Sequence, residues 1–280
     1  METQAVFKSS IETLRRYCAT RLPMGQLLPL AGFLVAAGLV SGRPLGATAL
    51  TLSLVLAVTL FLQFRLFDDL ADLARDRREH PDRVLVQATS LRSFHLLLLV
   101  TFLANLLLIL VQSGPPQGVA VFLLLNAGAC LWYGALRRQL GGAVLGYHVV
   151  LAKYPVFVYL LSGTGPDQGQ LGLAAAAVYL SFAIYEAVHD RSLHASLAAG
   201  RVLAIEIFLW GCVSAWMSVA LLGQDSVFAL IQAVLGVCGG LALIEIFGRR
   251  RVHLRSARAN YLVFAIAWVQ ILTFTVGGRL

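Results

Sequence analysis

Nine long apolar runs follow one another along this 280-residue chain, separated by short polar segments. A helix that crosses the hydrocarbon core of a bilayer needs roughly 20 mainly apolar residues. Since lipid offers no hydrogen-bond partner to exposed backbone, such spans must be helical. The predicted spans lie near residues 24–42, 46–67, 93–113, 118–136, 142–163, 170–188, 201–222, 226–247 and 260–277. The sequence therefore predicts an all-α, polytopic membrane protein with nine transmembrane helices.

The composition excludes a large water-soluble domain. Charged residues make up 13% of the chain and hydrophobic residues 59%, and the mean hydropathy is +0.79. Soluble domains carry roughly 25% charged residues. We therefore divide the chain into an N-terminal cytoplasmic segment, 1–22, and a transmembrane domain, 23–280. Within the spans, Asn105 and Asn126 are expected to make interhelical hydrogen bonds.

The basic residues predict how the chain is oriented. Of its 22 Lys and Arg residues, all but Arg43, Lys153 and Arg279 fall on one predicted side. That side receives the N-terminus and the segments 65–92, 137–141, 189–201 and 248–259. An excess of Lys and Arg marks the cytoplasmic side, so we place the N-terminus in the cytoplasm and the C-terminus on the opposite side. Topology and contact with anionic lipids account for the net charge of +8 without a nucleic-acid partner.

The N-terminal segment carries a helix signal. Ser9, Ser10, Ile11 and Glu12 fit a capping box, in which a serine and a glutamate three residues later bond each other's backbone N–H groups. The motif predicts a short amphipathic helix that runs through Tyr17 and lies at the membrane interface.

Three aspartates follow the second predicted span at helical spacing. Asp69, Asp72 and Asp76 are three and four residues apart, so on a helix they share one face. Carboxylates this close repel one another unless a hard cation lies among them. The alternative is a solvated acidic face that pairs with neighbouring arginines. We predict a Mg²⁺ site.

This acidic ladder, residues 68–76, resembles the first motif of the UbiA superfamily of intramembrane prenyltransferases. That motif reads NDxxDxxxD, and this chain reads DDxxDxxxD, with Asp68 in place of the asparagine. The basic segment 77–83 that follows is also similar to the family's. The resemblance implies nine helices around a central cavity that opens to the cytoplasmic side.

A second acidic pair occupies the place of the family's second motif. Glu186 and Asp190 stand where DxxxD is usual, and Tyr185 and His189 stand where YxxxK is usual, so histidine replaces lysine. The resemblance implies that Glu186 and Asp190 are metal ligands opposite the ladder. It also implies catalytic positions at Asp68, Tyr185 and His189. The alternative for the second pair is salt bridges with nearby arginines at a helix end.

The resemblance further implies a reaction. A prenyl diphosphate would bind through Mg²⁺, lose its diphosphate, and pass its isoprenyl group to an unidentified acceptor, often aromatic in this family. A terpene cyclase of the same type, which needs no acceptor, is the first alternative. A non-catalytic protein that binds or transports isoprenoid lipids is the second. The sequence does not indicate an oligomeric state.

The hypothesis of a prenyl diphosphate substrate suggests further candidate binding residues. The candidates for contact with the diphosphate are Arg65, Arg77, Arg83 and Lys153. The candidates for the prenyl-tail pocket are Phe61, Phe64, Tyr147 and Phe182. Arg65 could instead only neutralise the ladder, because it lies four residues before Asp69. Lys153, inside a predicted span, could instead pair with Glu206 or Glu245. His148 could line the same cavity or be a hydrogen-bonded core residue.

Overall fold

The computed structural model describes most of the chain. The described residues are 2–40, 46–113, 116–140, 143–162, 168–189, 197–222, 234, 264–265, 267–269 and 271–272. Throughout these residues the regular secondary structure is helical, and no strand occurs among them.

Twelve α-helices and one π-helix have described bounds. They are α1 (Glu2–Arg21), α2 (Met24–Leu39), α3 (Ala47–Ala71), α4 (Leu73–Glu79), α5 (Val84–Gln87), α6 (Arg92–Ser113), α7 (Pro116–Leu131), the π-helix (Trp132–Leu136), α8 (Arg137–Leu140), α9 (Ala143–Leu151), α10 (Lys153–Leu161), α11 (Gln168–His189) and α12 (Leu197–Leu222).

Six stretches of helix in the described part of the chain are long and apolar enough to cross a membrane. They are Ala47–Ala71, Arg92–Gln112, Pro116–Leu140, Val144–Leu161, Gln168–Ala187 and Arg201–Ala220. Each matches a predicted span, which confirms the all-helical membrane class. A seventh arises if Ser10–Arg21 and Met24–Leu39, bent by 66°, count as one span. The predicted spans 226–247 and 260–277 lie mostly outside the described residues, so the count of nine stays a prediction.

The N-terminal helix is longer than predicted. α1 begins at Glu2 and ends at Arg21, so the predicted capping box lies within the helix. Inside a helix the backbone N–H groups near Glu12 already have carbonyl partners. The Glu12 carboxylate instead accepts two hydrogen bonds from Arg15, of 2.8 and 2.9 Å. The end predicted at Tyr17 was therefore one turn too early.

Contacts divide the chain into two compact units. The first comprises Met1–Gly32 and Gly46–Val119, and the second comprises Phe33–Leu45 and Ala120–Leu280. The first unit holds α1 and α3–α6, with α3 packed on α6. In the second unit α11 packs on α9, α10 and α12.

Polar side chains join α3 to α6 inside the first unit. Asn105 donates to Gln63 Oε1 at 2.7 Å and accepts from Thr59 at 2.5 Å. These bonds confirm the interhelical role predicted for Asn105, and they satisfy groups that lipid would leave unpaired. Asn126 donates to the Phe122 carbonyl one turn earlier in α7, at 2.8 Å.

The fifth span is broken near its middle. Pro155 has no N–H to donate to the carbonyl of Leu151, so the helical ladder loses a bond there. α9 accordingly ends at Leu151 and α10 begins at Lys153. The break adjoins the buried Lys153.

A close approach in the second unit depends on a glycine. A Cβ placed on Gly38 would meet the backbone carbonyl carbon of Leu161 at 3.0 Å and its Cβ at 3.1 Å. Only a residue without a side chain therefore lets α2 and α10 approach this closely.

We expect Gly38→Ala to lower the free energy of unfolding in detergent by about 1–3 kcal/mol, because the added methyl group meets backbone that cannot rotate away. Gly172→Ala on α11 is the matched control, since nothing lies within 4 Å of the position of its Cβ. That variant should not lower stability. Equal thermal midpoints for the two variants would contradict the close approach.

Candidate functional site

The acidic ladder lies at a small irregularity between two helices. α3 ends at Ala71, Asp72 follows with φ −87° and ψ 0°, and α4 begins at Leu73. Helical hydrogen bonding continues across the junction, because Asp72 N–H donates to the Asp68 carbonyl at 2.9 Å and Asp76 N–H to the Asp72 carbonyl at 2.8 Å. The ladder therefore keeps its helical register, as its spacing predicted.

Asp69 is buried, and both of its carboxylate oxygens have hydrogen-bond partners. The residue is 5% exposed. The carboxylate accepts hydrogen bonds from Arg21 at 2.5 and 2.9 Å and from the Tyr17 hydroxyl at 2.9 Å. Arg65 Nε lies 3.6 Å from Asp69 Oδ1, which matches the i, i+4 neutralising contact that the spacing allowed. The Arg65 Nε is itself buried and has no hydrogen-bond partner.

Asp76 is buried but only half engaged. The residue is 2% exposed, and its Oδ2 accepts from Arg83. Its Oδ1 is buried and has no hydrogen-bond partner. A buried carboxylate oxygen without a partner is costly, so a further donor or a cation at this atom would be stabilising.

The local sequence explains why Arg83 reaches Asp76. α4 ends at Glu79, and His80 has φ −141° and ψ 61°. Pro81 follows, and the residue before a proline is disfavoured in helical conformation. Arg83 N–H then donates to the His80 carbonyl at 3.1 Å, so the chain turns back toward the end of α4.

The other two aspartates of the ladder are more accessible. Asp68 and Asp72 are half-buried. Arg77, in the basic segment that follows the ladder, is exposed. The alternative of a solvated acidic face is wrong for Asp69 and Asp76, because both are buried. Their arginine partners come from α1 and from the turn after α4, outside the ladder itself.

The aspartate side chains of the ladder carry the type of donor atom that binds hard cations. Carboxylate oxygens are the ligands that Mg²⁺ prefers, and the unpaired Asp76 Oδ1 offers one that is already buried. Within the described ranges no group of three or more His, Cys, Asp or Glu side chains is positioned to hold a metal ion. Both Asp69 oxygens already accept hydrogen bonds, so the carboxylates that could contribute to a cation site at the ladder are those of Asp72 and Asp76.

Two of the predicted tail residues lie just before the ladder. Phe61 and Phe64 are buried on α3, at 9% and 3% exposure. They precede Asp69 on the same helix by about two turns or less.

Aromatic side chains also gather in the second unit. Tyr154 and Phe182 stack with ring centroids 3.6 Å apart, and Phe264 packs edge-on against Phe182 at 5.2 Å and against Tyr185 at 5.5 Å. This aromatic cluster joins the predicted tail residue Phe182 to the predicted catalytic residue Tyr185. Lys153 Nζ lies 5.6 Å from the centroid of the Tyr154 ring, a cation–π distance.

The second acidic pair is only partly described. Glu186 is half-buried near the end of α11. Asp190 and the side chain of His189 lie outside the described residues, as do Glu245 and the basic run 249–258. Their predicted roles stay predictions.

A polar cluster lies between α9, α11 and α12 in the second unit. Tyr147 donates to Glu206 Oε1 at 2.5 Å, and His148 Nε2 lies 3.4 Å from the same oxygen. His148 Nδ1 is 2.6 Å from the Tyr179 hydroxyl. The predicted tail residue Tyr147 thus has a polar contact, and Glu206, considered in the sequence only as a partner for Lys153, binds Tyr147.

Sequence reasoning missed Tyr17 and Arg21, which hold Asp69. Both lie on α1, four residues apart and so on one face. Their four-residue spacing at the end of an amphipathic helix was the sequence feature that could have indicated a shared partner. Nothing in the sequence indicated that this face would meet α3 rather than the membrane surface.

Comparison with solved structures identifies the fold. The chain is similar to a structure described as giving structural and mechanistic insights into the biosynthesis of digeranylgeranylglyceryl phosphate synthase in membranes. The similarity covers 96% of this chain and 100% of that one, with a TM-score of 0.63 and 11% sequence identity. No protein-family model and no curated protein matches this sequence. The chain is therefore an all-helical membrane protein with a fold like that of digeranylgeranylglyceryl phosphate synthase.

Proposed function

We propose that this protein is a Mg²⁺-dependent intramembrane prenyltransferase that moves an isoprenyl group from an allylic diphosphate to an acceptor. The observation that carries the proposal is the acidic ladder, with two buried aspartates each held by an arginine from another element. The fold supports it, because the synthase that this chain resembles in fold is named for a phosphate that carries geranylgeranyl groups.

Two unsatisfied atoms make the ladder suitable for a cation and an anion together. Asp76 Oδ1 is a buried acceptor without a donor, and Arg65 Nε is a buried donor without an acceptor. A divalent cation satisfies the first and a diphosphate oxygen satisfies the second.

The reaction follows from that charge arrangement. Mg²⁺, when bound, neutralises the diphosphate and stabilises it as a leaving group. The chain's own part is to position the diphosphate through Arg65, Arg83 and Arg77. The bond between C1 of the isoprenyl chain and the diphosphate oxygen breaks, and its electron pair leaves with the diphosphate. The acceptor then bonds to C1 and gives up a proton.

The resemblance of the second motif adds further candidate groups to the proposal. As the resemblance of their motif implies, Glu186 and Asp190 would hold a second Mg²⁺, and Tyr185 and His189 would be catalytic. Phe182, a candidate for the prenyl-tail pocket, stacks on Tyr154 in an aromatic cluster, and ring faces of this kind stabilise an allylic cation. Such contacts contribute about 0.5–2 kcal/mol each, depending on desolvation.

The purified full-length protein in detergent tests the proposal directly. We expect release of inorganic diphosphate from geranyl, farnesyl or geranylgeranyl diphosphate in the presence of Mg²⁺. Excess EDTA should lower the rate about 10³-fold, because metal stabilisation of the leaving group is worth several kcal/mol.

Product analysis separates the alternatives. A prenylated acceptor supports the transferase, whereas a cyclic hydrocarbon or alcohol formed without acceptor would assign the protein as a terpene cyclase. Binding of the diphosphates without any product would instead indicate a lipid-binding or transport protein. Full activity in EDTA would contradict the metal assignment.

A further inference from the structure

The polar cluster of the second unit contains a buried carboxylate that is only half satisfied. Glu206 is 4% exposed and lies on α12, within the span Arg201–Ala220. Tyr147 and His148 both approach its Oε1, while Oε2 is buried and has no hydrogen-bond partner. An ionisable side chain that faces the interior of a membrane protein commonly marks a functional site.

The carboxylate also has no permanent positive charge beside it. Its partners are a phenol and an imidazole, and no lysine or arginine among the described residues lies within ion-pair distance of Glu206. The Tyr179 hydroxyl lies 2.6 Å from His148 Nδ1, so both nitrogens of His148 have partners inside the cluster. Oε2 therefore remains without a donor whichever nitrogen carries the hydrogen. A group that supplies both a donor and a positive charge would complete Glu206, because a charge in an apolar span is costly unless it is paired.

Three aromatic rings lie beside this carboxylate. The rings of Tyr147 and His148 stack with centroids 4.2 Å apart and planes 29° apart, and those of His148 and Tyr179 with centroids 6.1 Å apart and planes 28° apart. The face of a tyrosine ring attracts an ammonium ion, and aromatic rings are a common part of ammonium-binding sites. The rings and the carboxylate therefore favour the same kind of ligand.

The cluster lies close to the lipid-facing surface of the spans. The side chain of His148 is 27% exposed, and Val149, the next residue on α9, is exposed. On α12, Ile205 directly precedes Glu206 and is also exposed. Exposed apolar side chains within a span contact lipid tails, which are as apolar as they are. A ligand of the cluster therefore has to be apolar outside the group that meets Glu206.

We propose that the polar cluster binds a lipophilic ammonium ion, the protonated form of an amine on an apolar body. One N–H of the ammonium group donates to Glu206 Oε2, its charge neutralises the carboxylate, and the faces of the tyrosine rings contact the cation. All of these residues belong to the second unit. Binding needs neither a prenyl diphosphate nor Mg²⁺, so the inference does not rest on the function proposed above.

Two probes that differ in one group test the binding site. 2-Naphthylmethylammonium and 2-naphthylmethanol share their rings and their carbon chain, and only the first carries a charge. Isothermal titration of the full-length protein in phosphatidylcholine nanodiscs, without Mg²⁺ or diphosphate, should show about tenfold tighter binding of the ammonium probe, because only this probe forms an ion pair with the carboxylate. Empty nanodiscs give the background. Equal binding of the two probes, or tighter binding of the alcohol, would overturn the proposal.

Two variants on α12 show whether Glu206 causes the preference. Glu206→Gln keeps the shape of the side chain and removes its charge, so the preference for the ammonium probe should fall to within about twofold. Ser214→Ala alters another buried polar group on the same helix and should keep the preference. A tenfold preference in Glu206→Gln would place the ammonium ion elsewhere and overturn the assignment.

A variant on α11 keeps the proposal testable if Glu206→Gln does not fold. Tyr179→Leu removes one ring of the cluster and leaves the carboxylate in place. Binding of the ammonium probe should weaken at least about threefold and that of the alcohol less than about twofold, because a cation gains more than a neutral group from a ring face. An equal loss for the two probes would contradict binding of the cation beside these rings.

Discussion

Asp76→Asn is expected to lower turnover with a prenyl diphosphate about 10³-fold while the protein remains folded. The amide has the shape of the carboxylate but lacks its charge, so it binds a divalent cation weakly. A loss of several kcal/mol in the metal's stabilisation of the leaving diphosphate corresponds to a decrease in rate of about 10³-fold. Diphosphate release, measured across a Mg²⁺ titration, should also show a higher half-saturating concentration.

Two further variants show whether the effect belongs to the metal or to the ion pair with Arg83. Arg83→Gln removes the same ion pair and should raise the half-saturating concentration of prenyl diphosphate, leaving that of Mg²⁺ unchanged. Asp82→Asn, at an exposed position in the same segment, should change neither. If Asp76→Asn and Arg83→Gln behave alike, Asp76 serves only to hold Arg83, and the metal assignment fails.

Arg21→Met is expected to destabilise the protein by about 3 kcal/mol. The variant leaves the buried Asp69 carboxylate without its bidentate partner, and breaking a buried ion pair from one side costs about 3–5 kcal/mol. The contacts from Tyr17 and Arg65 remain, which places the effect at the lower end. Thermal or chemical unfolding in detergent, followed by intrinsic fluorescence, measures it.

An exposed ion pair on the same helix provides the control. Arg15 and Glu12 are 74% and 53% exposed, so Arg15→Gln should leave the unfolding midpoint unchanged. The double variant Arg21→Met, Asp69→Asn should be more stable than Arg21→Met alone, because it removes the unpaired charge. If Arg21→Met unfolds at the same midpoint as Arg15→Gln, the pair does not hold α1 against α3.

The membrane class could be predicted because its cause is local. A run of about 20 apolar residues has to become a helix in lipid whatever its neighbours do. The six described spans accordingly begin and end close to the predicted positions. The N-terminal helix was harder to bound, since Ser9 and Glu12 suit both a helix start and a helix interior.

The candidate site was predictable only where its residues share one helix. Asp69, Asp72 and Asp76 lie at helical spacing, and so does Arg65, whose Nε lies 3.6 Å from Asp69 Oδ1, as one of its two predicted roles requires. The ligands that come from elsewhere in the chain were not predictable. Arg21 and Tyr17 reach Asp69 from about 50 residues away in sequence, as the separations of 48 and 52 show.

The sequence alone determined that the chain crosses a membrane as helices and that an acidic ladder follows its second span. Both are consequences of spacing along a single helix. Only the tertiary structure decided which aspartates are buried, that arginines from α1 and from the turn after α4 neutralise them, and that Glu206 has one open oxygen. The reason is physical: burial and pairing depend on which helix faces pack together, and helices that are apolar on all sides carry no pattern that names their partner.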